Sequence, residues 1–421
     1  MNDKPAAIVL GGTNPHRALI ENLKSRGFYT VLVDYHENPP AKIAADEHIR
    51  ESTLDLDKVL QIAIDKKTKL VISTCVDQAH VTACYVGEKL GLPIPYSYKC
   101  ALEISNKTTM KEMMKKGNIP TSNFISLNEK EEISLNNLKF PLVVKPSDSN
   151  GSKGVRRVNC INELNHSLIE VFNISRCKNA IIEEFVDGRE VGVDCFITDK
   201  TAHIITMHQK RKPKIKDDSV IFSIGSISPP SISETAKNKI QIVANQIADI
   251  FNLKNTPLLI QVIVKDDDVK VVEFAPRIGG GLNFSKIKLF AKFDIIDAAV
   301  NSFLNVTVDP VFVKPDFFYS ENHIYTEPGV FGEILNYKEL LDNQTVAAFY
   351  PNKTRGMPIK PGKASKDRAA SFVVKANSIE EVEEKVRRTL NTVRVLDINN
   401  CELSFLENYR DLLLINTPPP H

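Results

Sequence analysis

The sequence predicts an α/β protein that turns α+β in its middle, and three observations carry that prediction. Strand and helix signals alternate through residues 1–100. From residue 140 onward the strands come in hairpin-like pairs instead. After residue 311 a stretch rich in Pro, Gly and Lys leads into one further strand and an amphipathic helix. Alternating strands and helices build parallel sheets, and consecutive strands build antiparallel ones. A chain of 421 residues holds roughly two to four domains of ordinary size. The expected division is an N-terminal parallel α/β domain at 1–100, two α+β subdomains at 101–186 and 187–310, and a small lid-like α+β unit at 311–421.

Each element follows from a local signal. AAIVL at 6–10 is an unbroken apolar run of strand length that stops at Gly11-Gly12. HRALIENLKSRG at 16–27 has apolar residues at helical spacing and ends at Gly27. YTVLVD at 29–34 is a second strand with Asp34 at its end, and LDKVLQIAIDKK at 56–67 is a second helix. LVIST at 70–74 is a third strand, and AHVTACYVGEKLG at 79–91 is a helix stopped by Gly91 and Pro93. Parallel sheets bind ligands beyond the carboxyl ends of their strands. Those ends carry Gly11-Gly12-Thr13-Asn14, then Asp34, then Thr74-Cys75-Val76-Asp77. Gly11 and Gly12 are therefore candidates either for contact with a small substrate or for a tight turn that needs glycine. GGTNPH departs from the G-x-G-x-x-G dinucleotide fingerprint at Pro15 and His16, which argues against a nicotinamide site.

Further along, Ser105 is the expected N-cap of a helix at Lys107–Lys116 that stops at Gly117. FPLVVKP at 140–146 is a strand, AIIEEFVDGREVGVDCFI at 180–197 is a strand and turn, and 258–281 is a hairpin around Asp266-Asp267-Asp268. SFVVKANSIEEVEEKVRRTLNTV gives the late strand and helix, and the tail NTPPPH is expected to be disordered.

Composition excludes several function classes. Lys and Arg number 54 and Asp and Glu 52, so the net charge is only +2. No global field recruits nucleic acid or an anionic membrane, and anion binding has to be local. No apolar run approaches the roughly 20 residues of a membrane helix, and MNDKPAAIVLGGTN lacks the pattern of a signal peptide. Seven cysteines, an odd number with no C-x-x-C pair, argue against a disulfide framework and a zinc site. A cytoplasmic location with reduced thiols is the expectation.

Three motifs carry chemistry. VVKPSDSNGSKGV at 143–155 places Lys145 on a strand and then a loop with hydroxyls at Ser147, Ser149 and Ser152, bends at Gly151 and Gly154, and a charge at Lys153. Backbone N–H groups of such a loop can surround phosphate oxygens, although the P-loop spacing is absent. A solvated surface hairpin has the same composition. In EEFVDGRE, the edge Glu184-Phe185-Val186 can pair its backbone with an adenine while apolar side chains cover the ring, and Glu190 can accept from ribose hydroxyls. A hairpin with surface acids reads the same way. In VVEFAPRIGGGLN at 271–283, Glu273 ends a buried strand, where a charge needs a reason. Mg²⁺, which takes few carboxylates plus phosphate oxygens, is one reason. Arg277 offers a planar fork for carboxylate or phosphate, and Gly279, Gly280 and Gly281 let backbone approach a bound group. The plainer alternative is a Glu273–Arg277 ion pair followed by a glycine turn.

In their order, Lys107 at a helix start, Lys145 before a Ser/Gly loop, the EEFVDGRE hinge and the EFAPR run resemble the plan of the ATP-grasp superfamily. The resemblance covers residues 1–310 and extends loosely to the end. It is nearest the carboxylate–amine ligases, such as glycinamide ribonucleotide synthetase, carbamoyl phosphate synthetase subunits and bacterial L-amino-acid ligases. The resemblance implies an ATP-grasp fold of two α+β subdomains and binding of ATP with Mg²⁺, Mn²⁺ being a substitute. It implies small-molecule carboxylate and amine substrates, no nucleic acid or membrane partner, and a homodimer as one assembly. Lys107 and Lys145 would hold the phosphates, and the 147–154 loop with Lys153 would fold over them. Glu183, Glu184, Phe185 and Val186 would line the adenine, and Glu190 would take the ribose. Glu273 would bind the metal. Arg277 would hold the substrate acid or its acyl phosphate, next to Gly279–Gly281.

Two positions depart from the family's plan. Gln261 stands where a second acid is usual, and Ala275 where Asn is frequent. Gln261 still has a neutral oxygen for Mg²⁺. The basic stretch MHQKRKPKIK at 207–216 adds His208 and Lys210 as phosphate candidates, with a solvated loop as the alternative. The implied activity is ATP-dependent amide formation through an acyl phosphate, with release of ADP and phosphate. The other readings are a thiol or carbamate-type substrate, a degenerate non-catalytic ATP-binding protein, and an NAD-dependent reductase.

Overall fold

A computed structural model describes residues 4–149, 151–212, 222–362 and 364–405. The tail, Asn150 of the glycine-rich loop and residues 213–216 of the basic stretch lie outside the described residues.

Strands Glu47–Ile49, Tyr29–Val33, Ala6–Leu10 and Leu70–Ile72 lie side by side in that order and run parallel. Ala6–Leu10 is buried at every position, which is why its sequence is apolar without alternation. The chain leaves it first toward Tyr29–Val33 and later returns on its other side as Leu70–Ile72. The carboxyl ends of Ala6–Leu10 and Leu70–Ile72 therefore flank the crevice typical of such sheets. The first helix spans Asn14–Ser25, two residues earlier than its apolar spacing predicts. Pro15 fits a first helical turn, and the Thr13 N–H and hydroxyl both reach His16 Nδ1, at 3.3 and 2.8 Å.

Ser97 caps a helix at Tyr98–Ser105 that the sequence reading does not contain. Asn106, not Ser105, caps Lys107–Lys116, its side chain accepting from the N–H groups of Thr108 and Thr109. Both helices pack against the larger sheet, with Ala101, Ile104, Met110 and Met114 in one core with Val191, Val193, Ile260 and Val262. The smaller sheet is four-stranded, in the order Phe124–Asn128, Asn179–Glu184, Leu142–Pro146, Arg156–Val158, with its own core around Val144, Leu168 and Ile182.

The larger sheet has eight strands, in the order Asp268–Ala275, Asn255–Lys265, Arg189–Thr198, Thr201–Arg211, Gly225–Ser228, Phe318–Ile324, Ala370–Ala376, Ala348–Pro351. The last three come from the 311–421 region, so that region extends this sheet while adding a small sheet and the helix Ile379–Thr392. Arg189–Thr198 shows how the sheet is built. Val191, Val193, Cys195 and Ile197 enter the helix-covered core, which leaves Glu190, Gly192 and Asp194 on the opposite face. Residues directly opposite across strands share a face. Glu273 faces Gln261, Gln261 faces Gly192, and Gly192 faces His208. Lys210 faces Ser226, and Ser226 faces Glu321. One side of the sheet is thus a polar floor, and a register slip of one residue would bury it in the core.

Candidate functional site

A cavity of about 490 Å³ lies between that polar floor and the smaller sheet. Its size is that of a small-molecule site. Two ion clusters line it. On the small-sheet side, Glu183 is 6% exposed and receives Lys111 Nζ at 2.7 Å, Ser122 Oγ at 2.8 Å and a short contact from Lys145 Nζ. Burial alone would raise the Glu183 carboxyl, but the two ammonium groups outweigh it and hold the carboxyl well below the usual range. Lys111 is fully buried, which pushes its ammonium down against the pull of Glu183. Lys145 lines the cavity. On the large-sheet side, Glu190 is held by Lys210 at 2.7 Å and Lys212 at 2.6 Å, which keep it charged in spite of burial. Each cluster pairs one carboxylate with two lysines and so leaves one positive charge over.

Between them sits Glu273. Lys107 Nζ is 3.4 Å from Glu273 Oε2 and donates to the Ser149 carbonyl at 2.6 Å, tying the glycine-rich loop to the metal candidate. Burial raises the Glu273 carboxyl, and Lys107 and Lys145 more than compensate. Gln261 Nε2 donates to Glu273 Oε1 at 3.2 Å. Among the described residues no group of three or more His, Cys, Asp and Glu side chains is placed to hold a metal ion. Glu273 fits a cation such as Mg²⁺ that completes its shell with phosphate oxygens and water, whereas the Gln261 oxygen, read from the sequence as a second ligand, is taken by Lys210 Nζ at 3.0 Å.

The Glu273–Arg277 ion pair offered by the sequence is not formed. Arg277 instead grips Asp77 of the N-terminal domain, Nε to Oδ1 at 2.7 Å and Nη2 to Oδ2 at 3.0 Å, while Nη1 donates to the Ile278 carbonyl at 2.9 Å. Arg277 and Asp77 line a second cavity of about 20 Å³ that shares Lys107, Ser149, Gln261 and Glu273 with the first. Apolar side chains, among them Val143, Phe222 and Ile263, also line the main cavity. Glu184, Phe185 and Val186 line it, and the Arg157 guanidinium lies 4.5 Å from the Phe185 ring centroid. Asn123 and the Lys139 N–H hold the Glu184 carboxylate.

The loop divides. Ser149, Gly151 and Ser152 line the cavity. Ser147 and Lys153 were expected over the phosphates and are placed elsewhere. Ser147 is fully buried, with its N–H on the Asn179 carbonyl, its carbonyl accepting from the Lys107 N–H and its hydroxyl against Cys177. Lys153 is exposed and outside the cavity wall. A Cβ on Gly154 would meet Ile174 and Pro146, so that glycine serves packing.

The glycines first read as substrate contacts sort by space. A side chain on Gly11 would strike His16, and one on Gly12 would strike Pro39 and Asp34. Gly279 makes room for Asn283 and Asp194, and Gly281, at φ +68°, makes room for the Glu321 carboxylate. Only Gly280 of the three faces open space. Gly281→Ala should therefore destabilise the fold by about 1–3 kcal/mol, through strain at positive φ and a 2.3 Å clash with Glu321 Oε1, and Gly280→Ala should cost little. Urea midpoints of the two variants check this.

Glu321 anchors that end of the polar floor. It accepts from the Leu282 N–H at 2.9 Å and pairs with Lys286 at 2.7 Å. Burial would raise its carboxyl, but Lys286 and His323 hold it at about 2. A depressed carboxyl contributes its stability above its unfolded value and loses it as pH falls toward the folded one. The chain should therefore weaken between pH 4.5 and about 2, at up to about 1.4 kcal/mol per pH unit for each such proton. Glu321→Gln should flatten that slope by one proton in urea titrations across the acid range.

Sequence reasoning missed Lys111, Lys212 and the Asp77 contact. Lys111 stands one helical turn after Lys107 on the same face, a spacing that signals a shared site. Lys212 stands two residues after Lys210, inside the basic stretch.

Comparison with known proteins gives the architecture a context. Residues 138–286 match the family model described as the ATP-grasp domain, a span from the small sheet through Lys145, the loop, the hinge, Glu273 and Arg277 to Lys286. The carbamoyl phosphate synthase large chain of a Thermoanaerobacter species is 26% identical over 61% of this chain and 24% of its own length. The phosphoribosylamine–glycine ligase of Lactococcus lactis is 29% identical over 45% of this chain and 49% of its own. The chain thus spans about a quarter to a half of these curated relatives. The crystal structure of an L-amino acid ligase from Bacillus licheniformis has the same fold, with a TM-score of 0.74 and 19% identity over 94% of this chain and 99% of that one. Residues 138–286 are thus the part of the chain that is similar to an ATP-grasp domain.

Proposed function

We propose that the protein is an ATP-dependent carboxylate–amine ligase that forms an amide through an acyl phosphate and releases ADP and phosphate. One observation carries the reading. The two cavities are lined by seven cations, Lys107, Lys145, Arg157, Lys210, Lys212, Lys270 and Arg277, against six carboxylates, Asp77, Glu183, Glu184, Asp187, Glu190 and Glu273. The wall has positive charge to spare beside apolar side chains, the complement of a nucleoside polyphosphate. The names of the relatives, a carbamoyl phosphate synthase, a glycine ligase and an amino acid ligase, support the same class.

In this reading Glu184, Phe185 and Val186 hold the adenine and Glu190 the ribose. Lys107, Lys145 and Lys210 hold the phosphates under the loop at Ser149, Gly151 and Ser152. Glu183 acts through the lysines it orients. Glu273 would hold Mg²⁺, which neutralises phosphate charge when bound. The substrate carboxylate oxygen forms a bond to the γ-phosphorus as the bond to the β-phosphate oxygen breaks, and ADP leaves. The amine then attacks the acyl carbon, the carbon–oxygen bond to phosphate breaks, and a proton is lost from nitrogen. Arg277 retains N–H groups beyond its three contacts to face the acid. Closure of the loop keeps water from the acyl phosphate.

The test is ADP release with ATP and Mg²⁺ across a matrix of small carboxylates paired with amines. Release that needs one acid and one amine supports the ligase. ATP that raises the melting temperature without ADP release in any pairing counts for a non-catalytic nucleotide binder instead.

A further inference from the structure

Three strands bring oxygen donors together on the polar floor beside Glu273. Lys210 Nζ lies 2.7 Å from Glu190 Oε1 and donates to Gln261 Oε1 at 3.0 Å. Gln261, directly opposite Glu273 in the sheet, turns its amide nitrogen to Glu273 Oε1 at 3.2 Å. The chain's own ammonium group thus occupies a nest of oxygens one side chain away from the metal candidate. Two carboxylates at that separation cannot both stay ionised unless a cation lies between them. An amide at 261 removes the requirement, because it gives Glu273 a hydrogen bond in place of a second negative charge. Lys210 then supplies a fixed positive charge beside it. Lys212 holds the other oxygen of Glu190 at 2.6 Å, so Glu190 is paired independently of Lys210.

We propose that the Lys210–Gln261 pair takes the place of a second divalent cation, so that this site accepts one divalent ion, at Glu273, with each nucleotide. The proposal rests on the nucleotide reading above. It predicts that a carboxylate at 261, with the competing ammonium removed, opens a second ion site between 261 and 273.

The experiment counts Mn²⁺ bound to the full chain in the presence of a non-hydrolysable ATP analogue, from the electron paramagnetic resonance signal of free Mn²⁺. The wild type should bind one ion per chain. The double variant Gln261→Glu, Lys210→Met should bind two, and Mn²⁺ should raise its melting temperature more than that of the wild type. Two ions in the wild type, or one in a double variant with native circular dichroism, would overturn the proposal. If the double variant does not fold, the wild-type count still decides between one and two. Absence of analogue binding would sink the nucleotide reading and this inference with it, whereas two ions with the analogue bound would sink this inference alone.

Discussion

Lys145→Ala is expected to lower ADP release by about 10²–10³-fold at saturating ATP, the usual effect of removing one group aimed at developing charge. Lys145 is 4% exposed and supplies the surplus charge of the Lys111–Glu183–Lys145 cluster. Without it that cluster is neutral, and the wall loses its attraction for phosphate on the small-sheet side. Glu183 keeps Lys111 at 2.7 Å, so the fold should survive and the melting temperature should show it. Lys111→Met is the contrasting variant. Lys111 lies outside the cavity wall and also donates to the Thr121 hydroxyl at 2.7 Å, so its loss should cost stability first, by up to about 3–5 kcal/mol, the usual cost of breaking a buried pair from one side. Steady-state rates and thermal melts on the two variants separate the roles. Undiminished turnover in Lys145→Ala would contradict the assignment of the cavity.

Arg277→Lys is expected to lose about 10²–10³-fold in kcat/KM, although the charge is kept. Arg277 binds Asp77 through two nitrogens and the Ile278 carbonyl through a third, and this fixes the plane of the fork. An ammonium group has no such plane and cannot hold Asp77 in two places while presenting further donors to an acid. Asp77, whose carboxyl is kept low by Arg277 against burial, would lose its bidentate partner, so the melting temperature should fall as well. The loss should lie in the dependence on the acid, with the KM for ATP little changed. A variant impaired equally toward ATP would place Arg277 at the nucleotide instead.

Much of the fold was legible because burial leaves a plain mark on sequence. Ala6–Leu10 is apolar throughout because both its faces are covered. Glu190, Gly192 and Asp194 alternate with Val191, Val193 and Cys195 because this part of the strand buries one face in a helix-covered core and leaves polar groups on the other. Motif residues on strand ends, Lys145 and Glu273, were legible for a related reason: a charge next to buried strand needs a purpose. What could not be read was partnership between distant segments. The bond of Asp77 to Arg277 spans 200 positions, and no local pattern encodes it. The continuation of the large sheet by Phe318–Ile324 and Ala370–Ala376 was hidden likewise, because pairing depends on which edge is left open. The glycine run misled for a different reason. Gly279 and Gly281 are small to admit Asn283 and Glu321, and sequence cannot tell room for a ligand from room for a neighbour.

The most direct measurement follows oxygen. With the acid that supports turnover labelled with ¹⁸O in its carboxylate, the released phosphate is examined by mass spectrometry. An acyl phosphate route delivers one labelled oxygen to each phosphate, with ADP in equal amount. Unlabelled phosphate, or AMP in place of ADP, would contradict it.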